Sequence, residues 1–273
     1  MKSENDPKIL GAELECPACK KIEKAAGSVP VGRVIEKLDT LLSKNDLSGA
    51  ERLLEYWMTE AQGLDDARGE LSLVNEMLGL SRRLGNKEKG TAAISRALSL
   101  LAETEMDGTV SGATILLNAA TTRKAFGAPE EAVALYEKTA AIYLAQGLDE
   151  KDSRYAAFYN NYATTLVDLA RFDEAQALYE KALTLTSEIG ALLDHAVTLV
   201  NLAHMHEARE GIESEKIAAC LSRAETVLLE EVTERTPYYA FVAEKCAPSF
   251  DYFGHFFTAN TLRDRSREIY ARS

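Results

Sequence analysis

The sequence predicts an all-α protein built as a linear array of helical hairpins, and three observations carry that prediction. The first is an internal repeat. Residues from Leu116 to Tyr143 align with those from Tyr159 onward at a fixed offset: Asn118 matches Asn161, Gly127 matches Ala170, Ala132 matches Ala175, and Tyr136-Glu137-Lys138 matches Tyr179-Glu180-Lys181, always 43 residues apart. A period of this size marks a repeat architecture. The second is local spacing, since small and apolar residues in each copy fall three and four apart. A short break at Gly127-Ala128-Pro129 or Ala170-Arg171-Phe172 divides each copy into two helical runs. The third is a recurring anchor early in the second helix, at Ala50, Gly90, Ala132, Ala175, Ile217 and Ala259, with steps of 40, 42, 43, 42 and 42 residues. About six hairpins follow.

Each hairpin can be followed in order by its anchor and the partners four and seven residues later. Ala50, Leu54 and Trp57 mark the first, and Gly90, Ile94 and Ala97 the second, after a turn at Leu84-Gly85-Asn86. Ala132, Tyr136 and Thr139 mark the third; Ala175, Tyr179 and Ala182 mark the fourth. The fifth, with Ile217, Leu221 and Ala224, follows an enlarged turn at 210–214. The sixth has Gly254 at its turn and Ala259 at the anchor, but Arg263 and Ser266 where apolar partners belong. End repeats lack a neighbour on one face, so Arg263, Arg265 and Arg267 suit a polar cap. Pro248 should kink or shorten the helix before that turn. The aromatic cluster of Tyr238, Tyr239, Phe241, Phe250, Tyr252, Phe253, Phe256 and Phe257 reads as core of the last hairpin or as a partner surface.

Ala163, Ala170, Phe172, Ala175, Tyr179 and Ala182 fill the places of a small residue late in helix A, a turn residue, an aromatic, and the Ala, aromatic and Ala of helix B. In this pattern the chain resembles the tetratricopeptide repeat, and its 42 to 43 residue period is most similar to the longer variety of kinesin light chains and bacterial peptide-sensing regulators. Ala170 departs from the usual turn Gly. The resemblance implies a right-handed superhelical solenoid whose A helices line a concave groove.

Composition agrees with one folded helical array: 46% of residues are hydrophobic and 27% charged, with six Pro. A formal net charge of −12 opposes a general nucleic-acid binder, which needs a basic surface, and leans toward basic partner segments. The absence of a long apolar run or secretion signal points to a cytoplasmic protein without a membrane segment. Residues 1–30 form a partly ordered leader before the repeat domain of 31–273. The leader carries Cys16-Pro17-Ala18-Cys19. Two such thiolates supply half of a closed zinc site, so Cys220, Cys246, a His or a second chain would have to complete it. A redox role needs a thioredoxin-like setting, and the remaining reading is a turn with no metal.

Catalytic signatures and cofactor motifs are absent, which leads us to expect a protein that is not an enzyme and takes no cofactor. His204 and Glu207 share a helix face, while His206 falls where the repeat packs an aromatic inward. Two residues before the small helix A position stands Asn118, Asn161 or Asn201 in three consecutive hairpins, with Asn75 near the same place in the second. Asn is a poor helix former, so a mid-helix series asks for a reason. The resemblance implies groove-lining carboxamides that hold a peptide backbone; the alternative is a structural ladder between neighbouring A helices. Thr121, Thr164 and His204 lie one turn on, flanked by Lys124 and Asn160. Arg82 and Arg83 add charge that could meet a carboxylate or stand solvated. The expected function is an adaptor or sensor that binds a peptide or protein segment in the groove. Self-assembly with the groove unused, with homo-oligomers, and a zinc or redox element at Cys16 and Cys19 remain the alternatives.

Overall fold

The computed structural model describes residues 27–272. Among them are twelve α-helices and no strand. They pair in chain order as hairpins: α1 (Val31–Ser43) with α2 (Leu47–Gly63), α3 (Ala67–Leu84) with α4 (Lys87–Glu103), α5 (Val110–Ala125) with α6 (Pro129–Ala145), α7 (Arg154–Asp168) with α8 (Phe172–Glu188), α9 (Leu192–Glu210) with α10 (Glu215–Thr226), and α11 (Pro237–Tyr252) with α12 (Phe256–Arg272). The first helix of each hairpin packs on the first helix of the next, so α3, α5, α7, α9 and α11 form one layer.

Local chemistry sets the boundaries. Asp46, Asp66 and Asn86 each accept a hydrogen bond from the backbone N–H three residues on, and Thr109 does the same for Gly112. These caps satisfy donors that an α-helix leaves open. Before α6 no side chain caps the helix, and Pro129 supplies a preset φ instead. Between α7 and α8 the chain turns through Ala170 at φ +56°, the left-handed region that the matching Gly127 occupies without a Cβ penalty.

All six anchors are buried, Ala50, Ala132, Ala175 and Ala259 completely. Their small size is needed. A Cβ built on Gly90 would lie 2.2 Å from the Phe126 ring of the next hairpin. Tyr136, Tyr143 and Tyr179 are fully buried beside the anchors, and Tyr162 stacks on Tyr136 at 4.9 Å. Tyr162 also joins two hydrophobic clusters, one running from Val29 to Phe158 and the other from Ala163 to Ile269. Val29 lies within the stretch assigned to the leader; it is 5% exposed and donates its N–H to Asp66 Oδ2 at 2.9 Å. Cys16 and Cys19 lie outside the described residues.

The last hairpin corrects three details. Leu262 and Ile269 supply the apolar contacts of α12, Ser266 is buried among them, and Arg263 pairs with Asp251 across the hairpin. Arg265 is no solvent-facing cap: it donates to the Leu228 and Leu229 carbonyls and to the Tyr239 hydroxyl, tying α12 to the π-helical turn Val227–Glu231. Pro248 sits inside α11 without shortening it, since α11 spans 16 residues, as α5 does. The aromatic cluster divides: Tyr239 and Phe250 are core, whereas Tyr238, Tyr252, Phe256 and Phe257 are exposed.

Candidate peptide-binding lumen

The curl of the array brings its second hairpin up to its sixth. The Arg83 guanidinium at the end of α3 lies 5.1 Å from the centre of the Phe241 ring in α11. A cavity of 1070 Å³ results, lined by Leu38 and Ser43 of α1, by residues of α3, α5, α7, α9 and α11, and by Tyr270 of α12. That volume lies just above the roughly 300–1,000 Å³ typical of ligand sites.

The residues singled out in the sequence divide between this lumen and the joints around it. Thr121, Lys124, Asn161, Thr164 and Asn201 line the lumen, and so do Arg82 and Arg83. Asn75 and Asn118 do not; Asn118 Nδ2 donates to Asn75 Oδ1 at 2.8 Å across adjacent A helices. Asn160 is 8% exposed and accepts from Asn201 Nδ2 at 3.1 Å, while its own amide donates to Asn161 Oδ1 at 3.4 Å. The ladder and the lining are thus two parts of one polar seam. His204 belongs to a joint as well, between Glu207 at 3.4 Å and Ser249 at 2.9 Å, with its ring 4.9 Å from Phe253.

The electrostatics of the wall are uneven. Arg82 donates to the Asn118 carbonyl at 3.1 Å and to Thr122 Oγ1 at 2.7 Å, both neutral acceptors. Lys124 faces Asp168 at 3.4 Å. Burial pushes the Glu76 carboxyl above its ordinary value, with the nearby Asp39 charge adding to the shift and the Asn75 amide opposing it. Lys245 is open to the solvent of the lumen, yet the walls around it strip enough hydration to push its ammonium below the usual lysine value. Lys245 and Tyr270 were not among the sequence candidates, and Tyr238 and Phe241 entered only as members of the aromatic cluster read as core or as a partner surface. Their only signal was membership of, or adjacency to, an aromatic-rich terminal hairpin.

Cys220 and Cys246 are buried and unbonded to each other, and burial raises both thiols, that of Cys246 to about 12. Neither is poised as a thiolate. No cluster of three or more metal-ligating side chains occurs among the described residues, and none of their helices is long and apolar enough to cross a membrane.

The tetratricopeptide repeat pattern matches residues 156–188, which are α7 and α8. No curated protein matches the sequence. Among solved structures, a Rap protein complexed with Competence and Sporulation Factor is similar over 89% of this chain and 64% of its own, with TM-score 0.59 and 13% identity. A kinesin light chain of Podosopora anserina with nearly identical tetratricopeptide-like repeats covers 76% of this chain and 96% of its own, with TM-score 0.50 and 19% identity. The fold is therefore a tetratricopeptide-repeat solenoid. Its long period and helical layout are of the kinesin-light-chain-like kind.

Proposed function

We propose that the protein is a non-catalytic adaptor or sensor that binds an extended peptide, or an extended segment of a partner protein, inside the lumen. The observation that carries this reading is the row of Thr121, Asn161, Thr164 and Asn201 on three consecutive A helices, facing a cavity of 1070 Å³. Carboxamides and hydroxyls donate and accept at once, which suits the alternating N–H and C=O groups of a peptide backbone. The likeness to a Rap protein solved with Competence and Sporulation Factor supports an occupant for a lumen of this shape.

The experiment is retention of peptides by the purified full chain from a random heptapeptide library, separated by gel filtration and read by mass spectrometry. Retention of a defined peptide pool is the expected result. A chain that retains nothing contradicts the reading.

A further inference from the structure

The lumen is closed by one side chain that reaches three hairpins. Arg83, in the last turn of α3, donates from Nη2 to Asn45 Oδ1 at 3.1 Å, in the turn between α1 and α2. Its guanidinium lies 5.1 Å from the centre of the Phe241 ring in α11. The Tyr270 hydroxyl of α12 stands near enough to feel the charges of Arg83 and Glu244. Elsewhere hairpins meet along whole helices: α3 packs on α5, α5 on α7, α7 on α9 and α9 on α11. Among the described residues neither α11 nor α12 packs in this way on α1 or α3. The seam between the second and sixth hairpins is therefore made by side-chain tips.

Contacts of this kind hold weakly. Arg83 and Phe241 are both half-buried, and a cation over an aromatic face at such exposure shifts an equilibrium by roughly two- to fivefold. Asn45 stands on the same side of the seam as Arg83, so its hydrogen bond aims the guanidinium and does not bridge the gap. Like charges oppose closure, since Arg82 and Lys124 both repel Lys245 of α11 across the cavity. A joint with few attractive contacts and a repulsion beside them has open and closed states close in free energy, which an interface of packed helices does not.

We propose that the contact of Arg83 with Phe241 is the latch of a gate: the seam opens to admit an extended segment sideways into the lumen and closes behind it. Arg83 is a positioning residue here, aimed by Asn45 at the face of Phe241. The proposal rests on the peptide reading above for what passes the gate; the motion of the seam stands apart from it. Lateral entry also names the kind of partner. A segment inside a longer folded chain has no free end to thread along the lumen, and an opening seam lets it in.

Opening is read without any peptide, by single-molecule energy transfer between dyes on Lys44→Cys and Ala271→Cys, the exposed neighbours of Asn45 and Tyr270. Cys16→Ser and Cys19→Ser remove competing thiols, and Cys220 and Cys246 are buried. A main population of high transfer and a minor one of low transfer are expected. Arg83→Ala or Phe241→Leu should enlarge the minor population about threefold, and Arg83→Lys, which keeps a cation over the ring, should restore most of the closed state. A single population, or one that Arg83→Ala leaves unchanged, overturns the latch. Entry is read by stopped-flow mixing with a heptapeptide retained from the library, for which association and dissociation should both quicken about threefold in Arg83→Ala. Faster dissociation alone would make Arg83 a ligand contact and overturn the gate, as would rates that do not change. The same heptapeptide placed between two folded domains on flexible linkers should still bind; loss of binding would mean threading along the lumen and overturn lateral entry. If no peptide is retained, the peptide reading falls, and the energy-transfer populations alone uphold or overturn the latch.

Discussion

Asn118 donates its amide to the Asn75 carboxamide, 2.8 Å away and 43 residues earlier in the chain. Two residues at the same register of consecutive A helices thereby lock one hairpin to the next. Asn118→Ala should destabilise the array by about 0.5–1.5 kcal/mol, the net value of one such bond, toward the upper end because it strands the Asn75 oxygen. Asn161→Ala should cost less, since the Asn161 carboxamide faces the lumen and meets Asn160 only at 3.4 Å. Urea denaturation of the two variants checks the order. A larger loss in Asn161→Ala would assign the ladder and the lining the wrong way round.

Ala170→Gly should stabilise the protein. Ala170 holds φ +56°, a region that costs an L residue roughly 1–2 kcal/mol, and part of that relief is returned through the greater freedom of Gly in the unfolded chain. A net gain of about 0.5–1 kcal/mol should raise Tm by a few degrees. A lower Tm would show that the Ala170 methyl makes contacts worth more than the strain.

Tyr179 is fully buried, and its hydroxyl has no hydrogen-bond partner among the described residues. Tyr179→Phe should therefore be neutral or stabilising by up to about 1 kcal/mol, whereas Tyr179→Ala should cost about 3–5 kcal/mol by opening a cavity between α8 and its neighbours. Paired thermal melts separate the two effects. A clear loss in Tyr179→Phe would reveal a bond made by the hydroxyl.

Acidification should weaken the fold through two histidines, the buried His206 and the half-buried His195. Burial lowers the affinity of His206 for a proton, with Lys216 and Arg209 adding and Glu210 opposing; burial is also the main cause for His195. The unfolded chain then binds the proton more readily, so stability is complete above the unfolded value of about 6.5 and drains away as pH falls through it toward the folded value. Tm measured from pH 7.5 to 5 should drop, and His206→Phe should flatten part of that slope. An unchanged slope would place the acid sensitivity elsewhere.

A second ionic test concerns Glu70, which is 1% exposed and held by Arg96 at 2.5 Å and by Gln62 at 2.6 Å. Arg96→Ala leaves that carboxylate buried beside Gln62 alone, at an expected cost of about 3 kcal/mol. Glu70 keeps its folded pKa below the ordinary value despite the opposing effect of burial. Its contribution is present above the unfolded pKa and is lost as pH falls through the folded one. Stability of wild type and variant should therefore converge in acid, and a gap that persists below both values would refute the ionic origin.

The hairpins were legible because helix packing leaves a local mark. Ala50, Gly90, Ala132 and Ala175 must be small where helices approach closely, and the Phe126 ring against Gly90 shows how little room remains. The closure of the array left no such mark. Curvature accumulates from small rotations at each joint, so nothing near Phe241 in sequence announces its contact with Arg83. For the same reason Lys245 reads as an ordinary surface lysine until the walls are built around it. The Asn series showed that a polar seam exists on the A helices; which carboxamides face a neighbour and which face the lumen depends on rotations of one side chain's width.

The most direct test of lumen binding is calorimetric titration of a retained peptide into the wild-type chain and into the double variant Asn161→Ala, Thr164→Ala. Both side chains line the cavity, and neither donates a side-chain hydrogen bond to another hairpin. Lumen binding predicts an affinity weaker by about 1–3 kcal/mol, roughly five- to 150-fold, with Tm and helical spectrum unchanged. Equal affinity in the two proteins would contradict it and move the binding surface outside the lumen.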